Sequence, residues 1–87
     1  PTLLQALELT NGTTLDSQLK KAAAHWLAKS PERNTMISRI YLTALGREPT
    51  PAERDIAREM VGEKPAVEGT TDLLWVLVML PEFQLIN

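Results

Sequence analysis

The residues of this chain that are best equipped for chemistry are Arg47, His25 and the pair Asp16 and Ser17. Arg47 lies in the stretch YLTALGREPTPAERD, between a glycine and two prolines, where its guanidinium could bind a carboxylate, sulfate or phosphate group. In the structural alternative, Arg47 donates hydrogen bonds to carbonyls at a helix end. We favour the structural interpretation, because an arginine surrounded by this many helix-ending and helix-starting residues is more often structural.

None of the patterns that define catalytic or metal sites occurs in the sequence. His25 is the only histidine, and the alanines and Trp26 beside it offer neither a nucleophile nor further metal ligands. The chain has no cysteine, which excludes thiolate metal sites, thiol catalysis and c-type haem attachment within it. We therefore predict that this segment is not an enzyme and that it binds no cofactor and no metal.

Two binding functions stay open as alternatives. A carbohydrate- or anion-binding module would use Arg47 together with an exposed tryptophan, although both Trp26 and Trp75 lie in apolar stripes that favour core packing. A carrier domain would attach phosphopantetheine to Ser17, since LDSQL is similar to the attachment site of acyl and peptidyl carrier proteins. Leu15 stands where those proteins have glycine, and the helix and long loop that precede their serine do not fit before Ser17, so the carrier interpretation is the weaker one.

Composition limits the partners that this chain can have. Nine Lys and Arg against eleven Asp and Glu give a formal charge of -2, and the basic residues are spread from Lys20 to Lys64. A nucleic-acid-binding protein normally concentrates positive charge, so we expect no nucleic-acid partner. The longest apolar run, Leu73 to Leu80, is far shorter than the ~20 residues of a membrane-spanning helix, so we expect no membrane insertion.

The 87 residues are enough for one hydrophobic core. The chain begins at Pro1 without a methionine, and the segment has no signal-peptide pattern. We expect a single helical domain over residues 1–87 that is part of a larger chain.

Hydrophobic periodicity predicts an all-α fold, a compact bundle of four to five short helices. A first helix would run from about Leu3 to Asn11 or Gly12, and a second from about 14 to 29. Ser30 would cap the third helix. The apolar face of this third helix is two residues wide and consists of Met36, Ile37, Ile40, Tyr41, Ala44 and Leu45.

The residues around Arg47 predict how one helix ends and the next begins. Gly46 can adopt positive φ and close the third helix, and Pro49 prevents the helix from continuing. Thr50 and Glu53 form a capping box, in which each side chain accepts a hydrogen bond from the amide of the other, with Pro51 at the first helical position.

Two further helices are predicted beyond this turn. The fourth is expected to bury Ala52, Ile56, Ala57, Met60 and Val61. Residues 62–72 are predicted to form a loop, with Thr70 or Thr71 capping the last helix. Leu73 to Leu80 are apolar on every side, so the last helix is either enclosed or meets a surface outside this segment. Pro81 would end it and begin a short turn with Glu82 and Phe83.

Three blocks of the sequence, LLQALELTNG, RIYLTALGREPTPAERD and LLWVLVMLPEF, together resemble the C-terminal domain of large exported planctomycete-type proteins that carry cytochrome-c-like modules. The middle block and PEF are also similar to a bacterial extracellular repeat domain of unknown function. Both resemblances imply a small helical module inside a larger protein, and the first implies export. Neither implies a catalytic residue. The pairing of Arg47 with Glu82 is motivated by their joint presence in this pattern.

We therefore predict a structural or interaction module that packs against the remainder of its parent chain or against an extracellular protein partner. It would bury apolar surface left on the last helix. The residues expected to matter are Gly46, Arg47, Pro49, Thr50, Glu53, Trp75, Glu82 and Phe83.

Overall fold

Five helices and no strand make up the described part of the chain, which is residues 12–30 and 32–86 of a computed structural model. They are α1 (Gly12–Lys29), α2 (Arg33–Leu45), α3 (Pro51–Val61), α4 (Val67–Met79) and α5 (Pro81–Ile86). The predicted all-α bundle is confirmed. The helix predicted between Leu3 and Asn11 lies outside the described residues.

The predicted cap of α2 is wrong, because Glu32 and not Ser30 occupies the position before the helix. The Glu32 carboxylate accepts hydrogen bonds from the amides of Asn34 (3.0 Å) and Thr35 (2.6 Å). The bond from Thr35 is the main reason that the pKa of Glu32 falls below its usual value. A carboxylate with two acceptor oxygens satisfies two free amides of the first turn, whereas a serine hydroxyl at this position typically satisfies one.

Ser30 instead joins α1 to α2. It is buried, its amide donates to the carbonyl of Trp26 (2.8 Å), and its hydroxyl accepts from Nη1 of Arg39 (3.3 Å). These bonds satisfy the amide and the hydroxyl of a buried residue.

The core takes its buried side chains from α1 to α4, most of them from α2 and α4. The buried apolar side chains are Ala23, Met36, Ile37, Ile40, Tyr41, Leu45, Ala57, Val61, Leu73, Leu74 and Leu77. The face predicted for the third helix is confirmed, with Ala44 partly buried at its edge. Helix α4 packs against α1, α3 and α5, so the most apolar segment of the sequence is the centre of the bundle.

Helix α3 is rotated relative to the prediction. Ala57 and Val61 are buried as expected, but Ala52 is exposed and Ile56 is 60% exposed. The contact with α2 is made partly by Arg54, which lies half-buried and donates from Nη2 to the hydroxyl of Ser38 (2.9 Å). The long aliphatic stem of arginine can cover apolar surface while its head group stays bonded, so a charged residue takes the place expected for Ile56.

The start of α4 also differs from the prediction. The helix begins at Val67, inside the predicted loop, and Thr70 and Thr71 are buried helical residues instead of caps. A Cβ atom at Gly69 would overlap the carbonyl oxygen of Met60 in α3. Gly69 is therefore required for the close approach of two helices, and not for a loop.

Of the segment Leu73 to Leu80, residues Leu73 to Met79 are helical as predicted, but the segment is not enclosed on all sides. Leu73, Leu74 and Leu77 are buried, whereas Val76 is 44% and Met79 is 52% exposed. None of the described helices combines the length and the apolar character needed to cross a membrane.

Candidate functional site

The turn between α2 and α3 places Arg47 in a fixed position. Gly46 ends α2 with a φ of 71°, and its amide donates to the carbonyl of Leu42 (3.0 Å), as the sequence predicted. A left-handed backbone of this kind is unfavourable for residues with a Cβ atom. Pro49 is buried two residues after Arg47. The chain is therefore well held on both sides of the guanidinium.

The predicted capping box of α3 is confirmed. The amide of Glu53 donates to Oγ1 of Thr50 (3.2 Å), the amide of Thr50 donates to Oε1 of Glu53 (2.9 Å), and Pro51 begins the helix. The box fixes the Glu53 carboxylate at the positive end of the α3 dipole, on the side of the turn that faces Arg47.

Arg47, Glu53 and Glu82 form a network that we call the Arg47 clasp. Nε and Nη2 of Arg47 donate to the two carboxylate oxygens of Glu82 (2.8 and 3.0 Å). Nη1 and Nη2 donate to the two oxygens of Glu53 (2.7 and 3.0 Å). Nη1 also donates to the carbonyl of Glu48 (3.0 Å). The predicted pairing of Arg47 with Glu82 is confirmed, and all five N–H groups of this guanidinium have an acceptor.

The charges of the clasp stabilise one another. Hydrogen bonds from Arg47 and then from the Thr50 amide lower the pKa of Glu53 to about 2. Arg47 also lowers the pKa of Glu82, and the two carboxylates, Glu53 first, raise the pKa of Arg47. Burial, followed by the charge of Glu53, raises the pKa of Tyr41, whose ring centroid lies 5.9 Å from the Arg47 guanidinium carbon.

This arrangement suits a structural role better than anion binding. The clasp carries one positive and two negative charges, so an added anion would be repelled, and no guanidinium N–H remains to bind it. Glu82 lies 35 residues from Arg47 in sequence, so the clasp connects α5 to the turn between α2 and α3. Phe83, the next residue of α5, packs against the core.

The two tryptophans are half-buried, so neither side chain is fully open to solvent. The indole Nε1 of Trp75 donates to Oδ1 of Asp16 (3.0 Å), which connects α4 to α1. This bond, and then the bond from Lys20, lower the pKa of Asp16. Trp26 packs against the core, and Nζ of Lys29 lies 5.9 Å from its ring centroid. The role of Asp16 was missed from the sequence, because its partner lies 59 residues away.

Ser17 and His25 are both exposed on α1. Ser17 lies in the second turn of an α1 that begins at Gly12, and not at a helix start as in the carrier interpretation. In the described part of the chain, no three His, Asp or Glu side chains are grouped so that they could hold a metal ion.

The fold and the clasp define a small helical bundle whose most distinctive arginine is fully bonded within the protein. No protein-family model, no curated protein and no solved structure matches this chain. Its function therefore has to be inferred from its own surface.

Proposed function

We propose that this chain is a non-catalytic helical module of a larger, exported protein, and that it packs against the remainder of that protein through one side of α4. The observation that carries this proposal is the exposure of two apolar side chains, Val76 at 44% and Met79 at 52%, in the apolar segment of α4. The two residues are three positions apart, so they lie on the same side of α4.

The remainder of the same chain is a better occupant than a separate molecule on energetic grounds. Fully burying a Val or Met side chain contributes ~1.5–3 kcal/mol, so the exposed halves of Val76 and Met79 together offer roughly 2 kcal/mol. Association of two separate molecules costs about 4 kcal/mol or more before any gain appears. A surface tethered in the same chain avoids most of this association cost, so burial of these two side chains can add to the other contacts that the tethered surface makes.

The resemblance to a C-terminal domain of large exported proteins supports the same proposal. It supplies a parent chain to which the module would be tethered, and it is the basis for export. The Arg47 clasp fits this role, because it fixes α5 against the bundle without offering a free donor to a ligand.

The test is site-specific photo-crosslinking in the parent protein. A benzophenone amino acid at Met79 should form crosslinks that mass spectrometry maps to other segments of the same polypeptide. The matched control places the same group at Lys21, which is exposed on α1. Crosslinks from Met79 that are absent, only intermolecular, or no more frequent than those from Lys21 would overturn the proposal. Fractionation of the cells tests export separately, since a parent protein retained in the cytoplasm would contradict it.

A further inference from the structure

An open cleft of about 560 Å³ lies at the far end of α2 and α3 from the Arg47 clasp. It lies between the first residue of α2 and the C-terminal half of α3. Its lining consists of Arg33, Asp55, Arg58, Glu59, Gly62 and Glu63.

The basic residues of the cleft are less exposed than its acidic residues. Arg33 and Arg58 are half-buried, whereas Asp55, Glu59 and Glu63 are exposed. We call the two less exposed arginines the floor of the cleft and the three exposed carboxylates its rim. The first turn of α2 adds partial positive charge beside Arg33, and the last turn of α3 adds partial negative charge beside Glu63.

The two arginines of the cleft are not paired with its acids. The ion pairs of 4.0 Å or less within residues 12–30 and 32–86 use Arg47, Arg54 and Lys20, and none uses Arg33 or Arg58. The Nε atom of Arg58 is buried and has no hydrogen-bond partner. Buried donors are almost always bonded in folded proteins, so this one is an uncommon feature. The accessible part of the half-buried Arg58 side chain also has no hydrogen-bond or ion-pair partner among the described residues, so its guanidinium is available to an acceptor in the cleft.

We propose that this cleft binds a small dipolar ligand, an amino acid or a short peptide zwitterion. The carboxylate of the ligand would accept hydrogen bonds from Arg33 and Arg58, and its ammonium group would lie against the acidic rim. A simple anion fits less well, because three carboxylates against two guanidinium groups leave the cleft with a net negative charge. A metal ion also fits less well, because the rim carboxylates do not converge as ligands.

The test is an NMR titration with glycylglycine that follows the Nε–H resonances of the arginines. Those of Arg58 and Arg33 should shift and saturate, while the Arg47 resonance, fully bonded in the clasp, stays in place. Two matched probes each lack one charge: N-acetylglycylglycine has no ammonium group and glycylglycine amide has no carboxylate. Each should bind about tenfold more weakly, which corresponds to the loss of one charged contact.

Substitutions in the cleft test which residues bind the carboxylate of the ligand and which bind its ammonium group. Arg58→Gln should weaken glycylglycine binding about tenfold, and Lys21→Gln on α1 should leave it unchanged. Should Arg58→Gln perturb the fold, the exposed double variant Glu59→Gln/Glu63→Gln tests the other end. It should weaken glycylglycine binding without weakening that of the acetylated probe. An absence of saturable shifts at tens of millimolar, or an equal response to all three probes, would overturn the proposal.

Discussion

Replacing Glu53 with glutamine should destabilise the protein at neutral pH and have progressively less effect as the pH falls towards 2. Glutamine keeps the size of the side chain, and its amide oxygen can still accept the hydrogen bond from the Thr50 amide, as in other capping boxes. The start of α3 is therefore preserved. The substitution removes the negative charge that accepts two hydrogen bonds from Arg47, at 2.7 and 3.0 Å.

The size of the effect follows from the pKa of Glu53. A decrease from 4.5 to about 2 corresponds to ~3.4 kcal/mol at 1.36 kcal/mol for each pKa unit, which is an upper limit. The side chains of Glu53 and Arg47 are 29% and 35% exposed, so water screens their interaction. Allowing for this screening, we expect a loss of roughly 1–2 kcal/mol in the free energy of unfolding.

The direction of the pH dependence is fixed by the sign of the pKa change. The pKa of Glu53 is lower in the folded protein than in the unfolded chain, so its ionised form favours folding. This contribution is fully present above pH 4.5 and is lost as the pH falls to about 2. Glu82, Asp16 and Glu32 also have lowered pKa values, but they titrate in both proteins and largely cancel in the difference.

Urea unfolding followed by the fluorescence of Trp26 and Trp75 measures this difference at pH 7, 4 and 2. The matched control is Glu59→Gln, an exposed residue of α3 outside the clasp, which should change the free energy of unfolding by less than about 0.5 kcal/mol. The reasoning is refuted if Glu53→Gln matches the control at pH 7, or if its full deficit persists at pH 2.

Three further predictions concern α4, and each uses urea unfolding unless stated. Gly69→Ala should cost about 2–3 kcal/mol, because its methyl group overlaps the backbone of α3; a neutral result would contradict the close approach. Thr70→Val should be neutral or stabilising, since this buried hydroxyl has no partner, whereas Thr71→Val should cost about 1 kcal/mol by losing a 2.6 Å bond to a backbone carbonyl; equal effects would argue against this assignment. Trp75→Phe should raise the pKa of Asp16 towards 3.8 in an NMR titration, and an unchanged pKa would show that the indole does not hold this carboxylate.

The turn around Arg47 could be predicted because most of its interactions are local. Gly46 and the capping box of Thr50 and Glu53 act within a few residues, so the sequence contains all the partners. The pairing of Arg47 with Glu82 could not be predicted in this way. It was expected only from the resemblance to a known domain. No periodicity or motif relates two residues that are 35 positions apart.

The wrong predictions concern residue types that occur in more than one structural setting. Gly69 and Thr70 are typical of loops and caps, but here they pack inside α4, where the backbone of α3 leaves no room for a side chain at position 69. Ile56 was expected inside because it is apolar. It is 60% exposed, and Arg54 instead contributes a contact with α2 by donating a hydrogen bond to Ser38. These outcomes depend on how two helices meet, which a pattern within one helix does not determine.

A comparison of Arg47 with Arg58 shows that the most distinctive motif of this sequence does not leave its arginine free to bind. Arg47 lies in the most distinctive stretch of the sequence, yet all five of its N–H groups are bonded within the chain, so the stretch serves to hold it. Arg58 lies in an ordinary charged helix, yet its half-buried guanidinium has no partner among the described residues. A guanidinium recognises a ligand only through donors that the fold leaves free. The search for a ligand should therefore begin at the cleft beside Arg58, where the sequence pattern gives no signal, and not at the clasp.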